Sequence, residues 1–189
     1  MNLANKFTLF RVILIPAFIA VVLTNFPYHY LISLVIFSVA SITDAIDGHL
    51  ARSKQMVTTF GKFLDPLADK ALVVSALICL IDLDWTWCVL VVIIVIREFL
   101  VTSLRLVAIN SDGAVIAASI WGKLKTTTQM CAIVGTLSFA AFEEIFPDII
   151  QHQTLYIISL VLMSIATVMT VISGVDYLYK YKGYIDTTK

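Results

Sequence analysis

The chain has 189 residues, of which 60% are hydrophobic and only 14% charged. Ordinary soluble domains are about 45–50% apolar and about 25% charged. The composition therefore excludes a soluble enzyme, a nucleic-acid binder and a disordered regulator, and points to a protein dissolved in lipid. Thirteen basic residues balance thirteen acidic ones, so net charge says nothing about partners, whereas the placement of the charges does.

A bilayer core asks for about 20 apolar residues per helix. The first stretch of that kind runs over Phe7–Leu23 and stops at the turn-forming Asn25-Phe26-Pro27. Lys6 and Arg11 give it the basic start of a signal peptide, but no small-x-small cleavage site follows, so it reads as a retained span. Tyr30–Ala51 comes next, closed by the polar Arg52–Thr58, and then Phe60–Ile81, closed by Asp82–Asp84. Thr86–Val107 leads to Asn110–Gly113, Ile120–Phe142 to Glu143–Asp148, and Thr154–Tyr177 precedes an interfacial tail. The expected architecture is a single all-α membrane domain over residues 1–189 with six transmembrane helices. Cys79, Cys88 and Cys131 sit in apolar stretches at no metal-ligand spacing and read as small buried hydrophobes. Trp85, Trp87, Tyr28, Tyr30, Tyr177, Tyr179 and Tyr181 cluster at span ends, as an aromatic belt would. His29, His49 and His152 stand isolated.

Orientation follows from the basic residues. The breaks near residues 25–29, 82–85 and 143–153 hold no Lys or Arg, but do hold Asp82, Asp84, Glu143, Glu144 and Asp148. Lys6, Arg11, Arg52, Lys54, Lys62, Arg105, Lys123, Lys125, Lys180, Lys182 and Lys189 collect on the other side. Six spans with both termini in the cytoplasm satisfy this split, and an even number of spans is what two termini on one side require.

A carboxylate in a membrane helix costs at least ~2.5 kcal/mol, so such acids are functional candidates. Asp44, Asp47, Asp65 and Asp69 all lie near the cytoplasmic ends of the second and third spans. Separations of three and four residues put each pair on one helix face, and a short connection makes the two helices antiparallel neighbours whose stripes face each other. Four converging carboxylates repel, and hard divalent cations relieve this better than proton sharing does. An oxygen-only set favours Mg²⁺ or Mn²⁺ over zinc, and two such ions about 3.5–4 Å apart suit displacement at phosphorus. Gly48, Ala51 and Gly61 clear space on the same stripes.

Taken together these residues read Asp44-x2-Asp47-Gly48-x2-Ala51-Arg52-x8-Gly61-x3-Asp65-x3-Asp69. The string resembles the signature of the CDP-alcohol phosphatidyltransferases, six-helix membrane enzymes that displace CMP from a CDP-linked lipid with the hydroxyl of a second alcohol. The resemblance implies a two-metal site at Asp44, Asp47, Asp65 and Asp69, with Asp69 also the general base. It implies that Gly48, Arg52, Thr58 and Gly61 hold the cytidine diphosphate, and that the protein is a homodimer.

The second substrate is read from the remaining basic residues. Arg97 and Arg105 share a face of the fourth span, Glu98 adjoins Arg97, Lys123 and Lys125 open the fifth, and Thr8 and Arg11 sit in the first. Arg97 reads as deeper and paired with a membrane acid, and Lys123 and Lys125 as topology-setting charges; together these cations suit a phosphate. Asn5-x2-Thr8-x2-Arg11, Leu64–Lys70, Arg97-Glu98-Phe99 with Arg105, and Gly122-Lys123-x-Lys125-Thr126 are similar to the branch of the family whose acceptor is sn-glycerol 3-phosphate. That implies CDP-diacylglycerol as donor, phosphatidylglycerol phosphate and CMP as products, and Thr8, Arg11, Arg105, Lys123 and Lys125 around the acceptor phosphate. The expected home is a bacterial inner (plasma) membrane, with the active site facing the cytoplasm. The rival readings are the same chemistry on inositol phosphate, serine or phosphatidylglycerol, and a divalent-cation transporter using the four aspartates. A transporter would spread polar residues over the full membrane depth, whereas the outer half of each span here is plainly apolar.

Overall fold

The structure, a computed structural model, describes the backbone of residues 3–54, 59–112 and 119–181, and the side chains of residues 9–43, 67–68, 70–104 and 119–181. The described residues form helices and connecting turns, with no strand among them. In chain order the helices are α1 (Leu3–Leu23), α2 (His29–Lys54), α3 (Thr59–Asp82), α4 (Cys88–Asp112), α5 (Ile120–Ile145) and α6 (His152–Tyr181). Each coincides, to within a few residues, with one of the six expected apolar stretches. Among the described residues α6 is the helix long and apolar enough to cross a membrane, with a mean hydropathy of 2.4 over its best 18 residues. Shorter apolar stretches, Leu9–Leu23 and His29–Thr43, fall in α1 and α2.

The chain divides into two compact units. The first comprises residues 1–85 and 134–155 and the second residues 86–133 and 156–189. In the first, α1 packs extensively on both α2 and α3, which meet each other over a smaller surface. The direct α2–α3 apposition expected from the sequence is thus accompanied by a third helix that touches both. Helical spacing explains the core: Phe18 and Val22 of α1, Phe37 and Ala40 of α2, and Leu72, Ala76 and Leu80 of α3 are all buried. The rings of Phe18 and Phe37 lie 5.8 Å apart and tilted.

A polar latch closes one end of this unit. Glu144 of α5 accepts the backbone N–H of His29 and of Tyr30, each at 3.2 Å, with His29 Nδ1 3.1 Å from the same carboxylate. The first N–H groups of a helix have no partner within it and carry its positive dipole end, so an acid there caps α2. Glu143, the neighbouring acid, holds His152 Nδ1 at 2.9 Å where α6 begins. His152 meets Trp85 edge-on at 5.2 Å. His29 and His152, isolated in the sequence, are each paired here, and Trp85 is core at 3% exposure instead of belt. α3 ends in a Schellman turn: the Trp85 N–H donates to the Leu80 carbonyl at 2.9 Å and the Asp84 N–H to that of Ile81 at 3.0 Å. Asp84 takes the left-handed conformation this needs, at φ 57°, which aspartate tolerates better than most residues.

In the second unit α6 is two-faced. Ser159, Met163, Ala166, Thr170, Ser173 and Tyr177 recur every three or four residues and are buried. Val161, Ile165, Val168, Ile172, Val175 and Tyr179 recur with the same spacing on the other side and are exposed. Small residues on the inner row let neighbouring backbones come close, which is how helices associate where lipid removes the hydrophobic drive. Tyr177 belongs to this core, so it too departs from the expected belt, whereas Trp87, Tyr28 and Tyr179 are exposed. Of the cysteines, Cys79 is buried as expected, but Cys88 and Cys131 are exposed, because the apolar runs that carry them have lipid-type outward faces as well as a core face.

Glu144→Ala removes the acceptor of two backbone donors. It should cost about 1–2 kcal/mol, read as an earlier unfolding midpoint of the detergent-solubilised protein, while Glu144→Gln should retain part of the loss.

Candidate active site

The four aspartates lie on the helices predicted for them: Asp44 and Asp47 in the second half of α2, Asp65 and Asp69 in the first half of α3. Their side chains, with those of Thr8, Gly48, Arg52, Gly61 and Arg105, lie outside the described ones, and Thr58 lies outside the described residues. The backbone still places these positions along their helices. Packed consecutive helices joined by links this short run antiparallel, which brings the start of α1, the end of α2 and the start of α3 to one end of the first unit. Counted from that end, Arg11, Asp44, Asp47, Asp65 and Asp69 all stand six to ten residues in, about 9–15 Å at 1.5 Å per residue.

Arg11 is the described member of that layer. It is 1% exposed on the helix that contacts both aspartate-bearing helices, and it makes a polar or electrostatic contact of its own. A guanidinium so deeply buried is held only where anionic or polar groups answer it.

The remaining basic candidates lie in the second unit, where Lys125 and Arg97 meet in one connected cluster. Lys125 of α5 is 3% exposed and ion-paired with Glu98 of α4. Arg97, next to Glu98, reaches the same carboxylate oxygen at 3.5 Å and donates to Ser173 Oγ of α6 at 2.6 Å. Its guanidinium carbon stands 5.8 Å from the centre of the Tyr177 ring. The expectation that Arg97 is paired with a membrane acid is met, and the acid is its own neighbour. Gly174 makes room for the arginine stem, since a Cβ there would come within 3.1 Å of Arg97 Cγ. Lys123 is exposed, and its carbonyl accepts the hydroxyls of Thr126 and Thr127 at 2.8 and 3.1 Å. One turn beyond Lys125, buried Gln129 has a side-chain Nε2 with no hydrogen-bond partner among the described residues.

Glu98 is the residue in this cluster that a reading of substrate cations passes over. Its signal in the sequence was an acid inside an apolar run, 27 positions before its lysine partner.

The profile of the CDP-alcohol phosphatidyltransferase family matches residues 1–174. The chain belongs to that family. Among curated relatives, the CDP-diacylglycerol–glycerol-3-phosphate 3-phosphatidyltransferase of Bacillus subtilis (strain 168) is 39% identical, over 95% of this chain and 94% of its own length. The like-named protein of Haemophilus influenzae (strain ATCC 51907 / DSM 11121 / KW20 / Rd) is 36% identical, over 96% of this chain and 94% of its own length. A probable phosphatidylglycerophosphate synthase of Mycobacterium tuberculosis (strain ATCC 25618 / H37Rv) is 42% identical, over 93% of this chain and 79% of its own length. As a CDP-alcohol phosphatidyltransferase the chain is an enzyme, and its site must hold a CDP-linked donor beside an acceptor alcohol.

The Gly174–Arg97 contact gives a direct check on the second unit. Gly174→Val should push Arg97 off its seat and cost about 1–3 kcal/mol, measured by unfolding in detergent, with Gly174→Ala intermediate.

Proposed function

We propose that this enzyme transfers the phosphatidyl group of CDP-diacylglycerol to sn-glycerol 3-phosphate, giving phosphatidylglycerol phosphate and CMP. The observation that carries the reading is the layer of four aspartate positions and one buried arginine at one end of the first unit, in a chain whose close relatives bear the name of that reaction. In this reading the chain is one domain of six membrane spans with both termini in the cytoplasm of a plasma membrane. It works as a homodimer with the active site facing the cytoplasm.

The donor set suits a hard divalent cation: carboxylates alone, at one depth, on two helices in contact. Asp44, Asp47, Asp65 and Asp69 are the residues that would hold two Mg²⁺ or Mn²⁺ ions, which when bound neutralise charge on the pyrophosphate. Gly48, Arg52, Thr58 and Gly61 bind the cytidine diphosphate, the glycines by letting it approach the backbone. Asp69 takes the proton of the acceptor hydroxyl. The oxygen bonds to the phosphorus that carries diacylglycerol, and the bond from that phosphorus to the CMP oxygen breaks. Thr8, Arg11, Arg105, Lys123 and Lys125 hold the phosphate of the acceptor and leave its free hydroxyl to react. A neutral acceptor such as serine would have little use for those cations, and a cation transporter would have none for the nucleotide-binding glycines and arginine.

Purified protein in detergent with Mg²⁺ or Mn²⁺ should release CMP from CDP-diacylglycerol when glycerol 3-phosphate is present, and should stop on metal chelation. Release with inositol phosphate or serine in its place would change the acceptor and keep the reaction class. Asp69→Asn should leave donor binding measurable and reduce turnover by about 10²–10⁴-fold; normal turnover would remove the base assignment. Arg105→Ala or Lys123→Ala should raise KM for glycerol 3-phosphate about 10–100-fold, the worth of one charge-assisted hydrogen bond, and raise that for the lipid far less.

A further inference from the structure

We propose that Glu98 is a positioning residue for acceptor capture. It holds Lys125 in place, so that the ammonium meets the phosphate of the acceptor alcohol; the inference rests on the function proposed above.

The argument begins with burial. Lys125 is 3% exposed, and a lysine taken out of water keeps its proton only beside a counter-charge. Glu98 supplies that charge from a different helix. Glu98 is itself supported, because Arg97 touches the same oxygen at 3.5 Å. Arg97 in turn is committed to α6 through Ser173, the space over Gly174 and the ring of Tyr177. Ser173, Arg97, Glu98 and Lys125 thus form a chain of support from α6 through α4 to α5, ending on the one buried lysine of the candidate acceptor set. Such supporting partners orient a binding group instead of touching the ligand.

Helix register ties the same acid to the rest of that set. Position 105 lies seven residues beyond Glu98, two turns along and on the same face of α4. On α5, exposed Lys123 precedes Lys125, and Gln129 follows it by one turn with a buried donor.

The sign of the effect can be decided. Removing a carboxylate near cations would by itself strengthen their pull on an anion. Here it would also take from buried Lys125 the ion pair that seats it, and the ammonium would leave that seat. The loss of an ordered ammonium outweighs the gain in net charge, so acceptor binding weakens.

The test uses the full-length enzyme in detergent with Mg²⁺, varying CDP-diacylglycerol and glycerol 3-phosphate separately. Glu98→Gln should raise KM for glycerol 3-phosphate tenfold or more, with kcat and KM for the lipid within about twofold of wild type. Glu98→Asp, which keeps the charge, should recover part of the loss. In a Lys125→Gln background, Glu98→Gln should add nothing, because it acts through a group already gone. Equal rises in KM for both substrates, or a Glu98→Gln effect that multiplies that of Lys125→Gln, would overturn the inference and make Glu98 a helix-packing residue. Should Glu98→Gln fail to fold, Lys125→Gln against Glu98→Gln/Lys125→Gln decides the same point, since the two charges leave together. Wild-type enzyme releasing CMP with glycerol 3-phosphate while Glu98→Gln is unaffected overturns only this inference. Wild-type enzyme inert with that acceptor overturns the proposed function first.

Discussion

A charge inside this molecule has to be answered by another group, and much of its architecture follows from that. Breaking a buried pair by removing one partner typically costs 3–5 kcal/mol, comparable to a sizeable share of a domain's whole stability. The partners therefore come as fixed assemblies. Glu98 answers Lys125 and shares itself with Arg97, Ser173 accepts a hydrogen bond from the arginine, and Glu144 answers the part-buried N–H donors where α2 begins. The pairs that cross between helices fix neighbours that apolar packing alone would leave freer to slide.

The same constraint gives the aspartate layer its meaning. Four acid positions gathered at one end of the first unit would be costly if they were only structural. In the function proposed above, a donor that brings its own pyrophosphate, together with divalent cations, turns the cost into a use. In that function, charge balance and substrate assembly become one event. The proposed acceptor set applies the principle in the opposite sign: cations kept in place by acids until an anionic alcohol arrives.

The helices were legible because each is a long, predominantly apolar run ended by polar or turn-forming residues. The aspartate signature was legible because its spacings are local, confined to one helix and the start of the next. The latch was not. Glu144 and His29 are 115 positions apart, and nothing in the run Phe142–Ile150 distinguishes an acid that caps a distant helix from one that marks an outward loop. Trp85 and Tyr177 were misplaced for a related reason: an aromatic at a span end satisfies the belt pattern and the core equally, and only the neighbours decide. Lys125 was legible as a cation but not as a paired one, since Glu98 had been counted with Arg97.

The inner row of α6 has a consequence for the path of that helix. Ser159, Met163, Ala166, Thr170, Ser173 and Tyr177 step by four and three in alternation, a period of 3.5 residues, whereas a straight α-helix turns once in 3.6. A row of that period drifts by about 20° per heptad on an uncurved rod. Such a row stays seated along its whole length only where the helix winds with a slow left-handed pitch, as strands of a rope do. The outer row of valines and isoleucines has the same period, presenting a continuous aliphatic ribbon on the exposed side of α6.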